Sequence, residues 1–243
     1  MLIHGWAMNS AIWRDWLVAL TQSYRVFCVE LPGHGESEYT QHWMMDELLE
    51  ALAKQLPATA NVLGWSLGGM VALAFADKYP QRIEKLILLA SSAKFTQSDD
   101  WVFAVEKDTL KMFAAGLVDN ASATIKRFLL LQTHGIAEPK KMNGCLKHSV
   151  SVPSDIKGLE SGLYILQNTD LRKALQQIAC PVLMILGKKD ALIPVGVGAE
   201  LLNINPTIKL RLIEQATHVP FLSHQNEVAQ VLNDFVLDKE CVS

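Results

Sequence analysis

The sequence predicts a doubly wound α/β fold with a mostly parallel sheet and an inserted helical cap. Short apolar runs alternate with helical patterns along most of the chain. Runs that are apolar on both faces are typical of parallel strands covered by helices on both sides. The alternation lapses over about residues 94–170, where the pattern is helical. We therefore expect residues 1–93 and 171–243 to form the core and residues 94–170 to form a helical cap.

The individual elements follow from turn residues and prolines at the ends of each pattern. The predicted strands are Arg25–Glu30, Asn61–Trp65, Lys85–Ala90, Val182–Gly187 and Ile208–Ile213. In the core, prolines end the predicted helices Met44–Leu56 and Gly68–Tyr79. The predicted cap helices are Trp101–Leu117, Ala121–Thr133, Lys140–Val150 and Ile156–Gln167. Sheets of this kind bind their ligands at the carboxyl ends of the strands.

Composition excludes several classes of protein. Half of the 243 residues are apolar, enough for a large core, and the formal charge of -3 lacks the basic excess that nucleic-acid binding needs. The chain contains no run of 18 apolar residues, so we expect no membrane-spanning helix, and the N-terminus has no signal-peptide pattern. We expect a cytoplasmic protein with reduced thiols, no metal and no cofactor. Its four cysteines are scattered without a CxxC pair: Cys28, Cys145, Cys180 and Cys241.

The strongest local motif is Gly64-Trp65-Ser66-Leu67-Gly68-Gly69, which lies between a predicted strand and a predicted helix. This is the G-x-S-x-G nucleophile elbow in the context that it requires. Side chains at Gly64 and Gly68 would collide with neighbouring backbone in such a strained turn. Ser66 is therefore the candidate nucleophile, and the alternative is a serine that only caps a helix in a glycine-rich turn.

A serine nucleophile needs a base, and the base needs an acid to orient it. Asp190 follows the strand Val182–Gly187, and His218 follows the strand Ile208–Ile213. The chain order Ser66, Asp190, His218 is the order that α/β-hydrolases use. We interpret His34 as a structural turn residue. The other histidines that we interpret as surface or core residues are His42, His134, His148 and His224.

An oxyanion hole needs two backbone N–H groups, one after the nucleophile and one from an early strand-end loop. Leu67 supplies the first candidate. Trp6, in His4-Gly5-Trp6 after the apolar pair Leu2-Ile3, supplies the second.

With these motifs in order, the chain resembles the α/β-hydrolase superfamily over nearly its whole length. It most closely resembles the pimeloyl-acyl-carrier-protein methyl ester esterases of biotin synthesis. The segments that carry this closer resemblance are Gly5–Asn9 with Trp13–Arg14, Leu63–Gly69, Ala90–Ser92 and Arg127–Thr133.

The resemblance implies the hydrolysis of a methyl ester of a pimeloyl chain on acyl carrier protein, with release of methanol. It also implies the residues that line the substrate site. These are Trp6, Ser66, Leu67, Phe128, Leu129, Leu130, Leu131, Gln132 and His218. Members of the family usually have further residues before the position of Met1, and these form the first antiparallel strands. The resemblance therefore leaves open whether Met1 is a truncated or misassigned start.

Charge in the cap points to the same partner. Residues 126–147 carry five basic side chains against Glu138 alone, and 5 minus 1 gives +4 within a chain of -3. Such a patch would steer an acidic carrier protein toward the cap. The alternative is a solvated basic helix face. The five candidate docking residues are Lys126, Arg127, Lys140, Lys141 and Lys147.

Other functions of the same scaffold stay open at this point. A broad-specificity short-chain carboxylesterase and a carbon–carbon bond hydrolase are the competing enzymes. A catalytically silent hydrolase fold that acts as a ligand receptor is the third alternative, although such a receptor would be expected to lack part of the triad.

Overall fold

Six strands form a parallel sheet in the order β2-β1-β3-β4-β5-β6. The computed structural model describes residues 1–37, 41–136, 138–150 and 156–237. The strands are β1 (Leu2–Ile3), β2 (Cys28–Val29), β3 (Ala60–Trp65), β4 (Ile83–Leu89), β5 (Val182–Gly187) and β6 (Lys209–Ile213). The predicted doubly wound α/β fold is confirmed.

Helices flank this sheet, and short 3-10 turns occur at Ser10–Trp13 and Pro80–Arg82. Within the described ranges, none of the helices is long and apolar enough to cross a membrane. The helices are α1 (Arg14–Leu20), α2 (Met45–Gln55), α3 (Leu67–Lys78), α4 (Lys107–Gln132), α5 (Pro139–His148), α6 (Lys157–Asn168), α7 (Arg172–Gln177), α8 (Val197–Ile204), α9 (Pro220–Ser223) and α10 (Gln225–Leu237).

Burial explains which strands the sequence predicts well. All six residues of β5 are buried, and β3 and β5 begin and end within one residue of their predicted limits. The predicted strand 25–30 is wrong in length, because only Cys28–Val29 pairs with β1.

β6 lies at the edge of the sheet, where Lys209 and Arg211 are exposed. Charged side chains on an edge strand disfavour pairing with another chain.

The predicted start of the first cap helix is wrong. Residues 96–105 turn back on themselves through bridges from Thr96 to Val105 and from Ser98 to Trp101, so α4 begins only at Lys107. The indole N–H of Trp101 donates to the Lys94 carbonyl and holds this turn. The predicted break before residue 121 corresponds to Asn120, whose non-helical backbone interrupts α4 and whose side chain caps the second half at the Ala123 N–H.

The connections that enter and leave the helices α4–α6 lie side by side. Lys94 forms an antiparallel bridge with Asp170, and the Leu171 N–H donates to the Ala93 carbonyl. The Lys94 ammonium is also 3.4 Å from the Asp170 carboxylate. This pairing supports the proposed division of the chain into a core and a cap at residues 94 and 170.

Candidate active site

Ser66 occupies a sharp turn between the end of β3 and the start of α3. Its φ of 56° lies in the left-handed region, where a non-glycine residue costs of order 1–3 kcal/mol. Glycines permit the turn: a Cβ at Gly64 would lie 2.1 Å from the Gly68 carbonyl oxygen, and one at Gly68 would lie 2.3 Å from the Ile3 carbonyl oxygen. The collisions expected from the sequence are therefore present, and the turn needs glycine at both positions.

The three candidate catalytic side chains form one hydrogen-bonded chain. The Nε2 atom of His218 is 2.9 Å from the Ser66 hydroxyl, and its Nδ1 atom is 2.8 Å from Asp190 Oδ2. The other carboxylate oxygen accepts from the N–H groups of Leu192 and Ile193. Asp190 therefore orients the imidazole while its charge is stabilised by backbone donors. This arrangement fits a catalytic triad.

The loop that carries His218 is fixed from two sides. The Trp65 indole N–H donates to the His218 carbonyl at 2.8 Å, and the His218 N–H donates to the Gln132 carbonyl at 3.3 Å. A Cβ at Gly187 would lie 2.3 Å from the Thr217 carbonyl oxygen, so the end of β5 also packs tightly against this loop. The histidine is thus held by both the elbow and the cap.

The candidate oxyanion-hole donors lie beside the nucleophile. Leu67 is the first residue of α3, where the N–H has no acceptor within the helix and the helix dipole favours negative charge. In the described part of the chain, the Trp6 N–H makes no hydrogen bond. A Cβ at Gly5 would lie 3.2 Å from the Ser66 Cβ, which brings the Trp6 loop against the elbow.

Two cap helices cover these donors. The Trp6 indole N–H donates to the Leu159 carbonyl of α6 at 2.8 Å, and its ring meets Phe128 of α4 edge-on at 4.7 Å between centroids. A Cβ at Gly162 would lie 2.7 Å from Trp6 Cδ1 and 3.1 Å from Leu67 Cδ2. Ser66 is only 2% exposed beneath this cover.

A family model described as the alpha/beta hydrolase fold matches residues 1–225. The chain belongs to the alpha/beta hydrolase fold family. This α/β-hydrolase is 37% identical over 225 residues to a pimeloyl-acyl-carrier-protein methyl ester esterase from Nitrosomonas europaea, covering 92% of this chain and 89% of that relative. It is 34% identical over 238 residues to an esterase of the same name from Methylococcus capsulatus, covering 97% and 93% of the two chains. The resemblance identified in the sequence is confirmed.

Solved structures match the same fold. An esterase from Exiguobacterium antarcticum superposes with a TM-score of 0.85 at 20% identity, covering 98% of this α/β-hydrolase and 91% of that chain. A bromoperoxidase from Bacillus anthracis superposes with a TM-score of 0.84 at 23% identity over the same shares of the two chains. At these identities the likeness shows the fold alone.

The second half of α4 presents two different faces in this α/β-hydrolase. Phe128, Leu129 and Gln132 are buried on the side toward the core. Leu131 is half-buried, whereas Leu130 is 60% exposed on the opposite side. The buried side-chain oxygen of Gln132 has no hydrogen-bond partner among the described residues. The structure thus brings Phe128 and Gln132 to the site and does not bring Leu130 there.

Sequence reasoning missed the contribution of α6. Leu159 and Gly162 contact Trp6 directly, and Gly158 packs against the loop at Pro32 and Gly33. The available signal was the spacing of Gly158 and Gly162, since residues four apart share one face of a helix and two glycines there allow close approach.

Two buried histidines lie next to each other near Trp6, and one of them, His4, is two residues before it. His4 and His34 have ring centroids 5.4 Å apart, and neither side chain is exposed by more than 2%. Burial lowers the pKa of His4 to about 4, and burial together with the neighbouring His4 lowers the pKa of His34 to about 3. Both imidazoles are therefore neutral at pH 7, which agrees with the structural role expected of His34.

The basic surface of the cap consists of Lys126, Arg127 and Lys147. All three side chains are exposed, and no ion pair joins any of them to a carboxylate within the described ranges. The side chains of the other two candidate docking residues, Lys140 and Lys141, lie outside the described part of the structure. Lys126 and Arg127 lie on α4, the helix that also carries Phe128 and Gln132, and Lys147 lies on α5.

Proposed function

We propose that this chain is a serine carboxylesterase that hydrolyses the methyl ester of pimeloyl-acyl carrier protein, in biotin synthesis. The reaction class rests on the buried chain of hydrogen bonds from Ser66 through His218 to Asp190. The substrate rests on relatives at 34–37% identity that carry the name of this esterase. Unpaired cysteines at Cys28, Cys145 and Cys180 fit the cytoplasmic location that we propose.

The proposed mechanism has two acyl-transfer steps. His218 takes the hydroxyl proton of Ser66 as the oxygen attacks the ester carbonyl, and then gives that proton to the departing methanol. Water, activated by the same imidazole, then attacks the acyl-enzyme and releases the free acid with Ser66 restored. Asp190 keeps the imidazole in the required tautomer and stabilises its charged form.

In this proposal, backbone N–H groups stabilise the tetrahedral intermediates. Trp6 and Leu67 are the donors, because both lie beside the nucleophile and neither N–H is committed to another acceptor in the described structure. Loss of one such donor typically costs about 3–4 kcal/mol of transition-state stabilisation. The Trp6 ring, Phe128 and Leu129 would form the apolar walls for the acyl chain, with Leu131 at their edge and Gln132 as a polar group near His218.

The cap would bind the carrier protein. Exposed positive side chains without carboxylate partners attract an acidic protein and raise its association rate more than its final affinity. Lys126, Arg127 and Lys147 have these properties in the structure, and Lys140 and Lys141 are proposed to join them.

The test compares one ester in two forms. Purified protein is assayed for methanol release from the pimeloyl methyl ester free in solution and from the same ester on acyl carrier protein. We expect kcat/KM to be at least tenfold higher for the carrier-bound ester. Equal values of kcat/KM for the two forms would indicate a broad-specificity carboxylesterase. If neither form of the ester released methanol, the proposal would be contradicted.

A further inference from the structure

In the part of the chain that the structure describes, three hydrogen bonds to the backbone of Ser66 hold the strained turn. The Ser66 N–H donates to the Leu89 carbonyl at 3.0 Å. Its carbonyl oxygen accepts from the Gly69 N–H at 2.9 Å and from the Ser91 hydroxyl at 2.7 Å. Two of these contacts are backbone to backbone, so the Ser91 hydroxyl is the one contact that a substitution can remove.

Ser91 lies two residues after the end of β4. It is fully buried, and it follows Ala90, which has a left-handed φ of 43° and whose N–H donates to the Ile185 carbonyl of β5. The fit around the hydroxyl is tight, because a Cβ at Gly69 would lie 2.3 Å from Ser91 Oγ. The neighbouring strand therefore holds this hydroxyl firmly against the first turn of α3.

We propose that Ser91 is a positioning residue for the nucleophile: its hydroxyl holds the Ser66 carbonyl and keeps the turn in its reactive conformation. The inference rests on the proposed function, in which Ser66 attacks the ester. A carbonyl that rotates changes the backbone angles of Ser66, and the hydroxyl then leaves its place 2.9 Å from His218 Nε2. A displacement of about 1 Å at a reacting atom can lower the rate about a hundredfold.

Ser92 offers a matched control. It is buried like its neighbour, at 2% exposure, but its hydroxyl accepts from the Lys94 N–H, and within the described ranges no hydrogen bond joins it to residues 64–69. The experiment measures kcat and KM for p-nitrophenyl acetate, the rate of labelling by a fluorophosphonate, and Tm for Ser91→Ala and Ser92→Ala. We expect Ser91→Ala to lower kcat and the labelling rate about tenfold with KM within twofold of wild type. Ser92→Ala should keep the wild-type kcat.

The outcomes separate positioning from stability and from the proposed function. Equal losses of kcat in the two variants, or a wild-type kcat in Ser91→Ala, would overturn the role of Ser91 alone. A wild-type protein that reacts with neither probe would overturn the nucleophile assignment itself. If Ser91→Ala fails to fold, Ser91→Cys replaces it in the experiment, because the thiol is a weaker donor than the hydroxyl. A kcat of Ser91→Cys below that of wild type supports the proposal, whereas an unchanged kcat contradicts it.

Discussion

The catalytic edge of the core and the basic surface of the cap are held in place by different kinds of contact. Ser66, Asp190 and His218 are at most 7% exposed and are connected by hydrogen bonds of 2.8–2.9 Å. Lys126, Arg127 and Lys147 are exposed and unpaired within the described chain. Buried contacts fix geometry to fractions of an ångström, while exposed charges act over several ångströms and are screened by salt. Changes at the edge should therefore affect catalysis far more than changes on the surface.

The largest effect is expected at the nucleophile. Ser66→Ala should lower kcat for the carrier-bound ester about 10⁶-fold, as loss of the nucleophile does in other serine hydrolases. Because the buried hydroxyl is lost without a change in shape, Tm should stay close to wild type. Methanol release and thermal unfolding measure the two quantities, and substantial turnover in this variant would rule out Ser66 as the nucleophile.

The next effect concerns the acid stability of the protein and the buried imidazole of His34. His34 has a folded pKa near 3, below the value of about 6.5 in the unfolded chain, so its contribution to stability is full above pH 6.5 and falls as the pH drops toward 3. His34→Phe should remove this dependence. Between pH 7 and pH 5, the free energy of unfolding should therefore fall by about 2 kcal/mol less in the variant than in wild type.

Urea unfolding at pH 7 and pH 5 measures the difference. The control is His148→Phe, because that imidazole is exposed in the folded protein. Parallel pH dependences in wild type and His34→Phe would show that His34 does not contribute.

The contact between the two regions should give an intermediate effect. A Cβ at Gly162 would lie 2.7 Å from the Trp6 ring, so Gly162→Ala should shift the Trp6 loop and lower kcat/KM about tenfold. Gly144→Ala is the matched control on α5, where an added Cβ meets nothing within 4 Å and alanine favours the helix. Steady-state kinetics measure kcat/KM for the two variants. A wild-type kcat/KM in both would show that α6 does not position the Trp6 loop.

The smallest effect is expected on the basic surface. Reversing both charges in Lys126→Glu with Arg127→Glu should lower kcat/KM for the carrier-bound ester about fivefold at low salt, with little change for the free ester. Lys54→Glu, an exposed lysine on α2 of the core, is the control. A loss that persists in high salt, or an equal loss with the free ester, would argue against electrostatic docking.

The sequence predicted the catalytic edge well because its geometry depends on local rules. The elbow needs glycines next to Ser66, and buried strands with long apolar runs fix where Asp190 and His218 emerge. The cap was predicted less well, because its contacts join residues far apart in the chain. Nothing local to Trp101 shows that its indole binds the Lys94 carbonyl, and nothing local to Gly162 shows that Trp6 packs against it.

The bridge between Lys94 and Asp170 also has a consequence for how the chain can change. Because the excursion through α4–α6 begins and ends at adjacent points, its length and content can vary without altering the register of β4 against β5. Insertions and exchanges there can redefine which molecules reach the site, as long as they keep the contacts that Gln132, Leu159 and Gly162 make with His218 and Trp6. Selectivity can thus evolve within this excursion while the few residues of it that contact His218 and Trp6 stay unchanged.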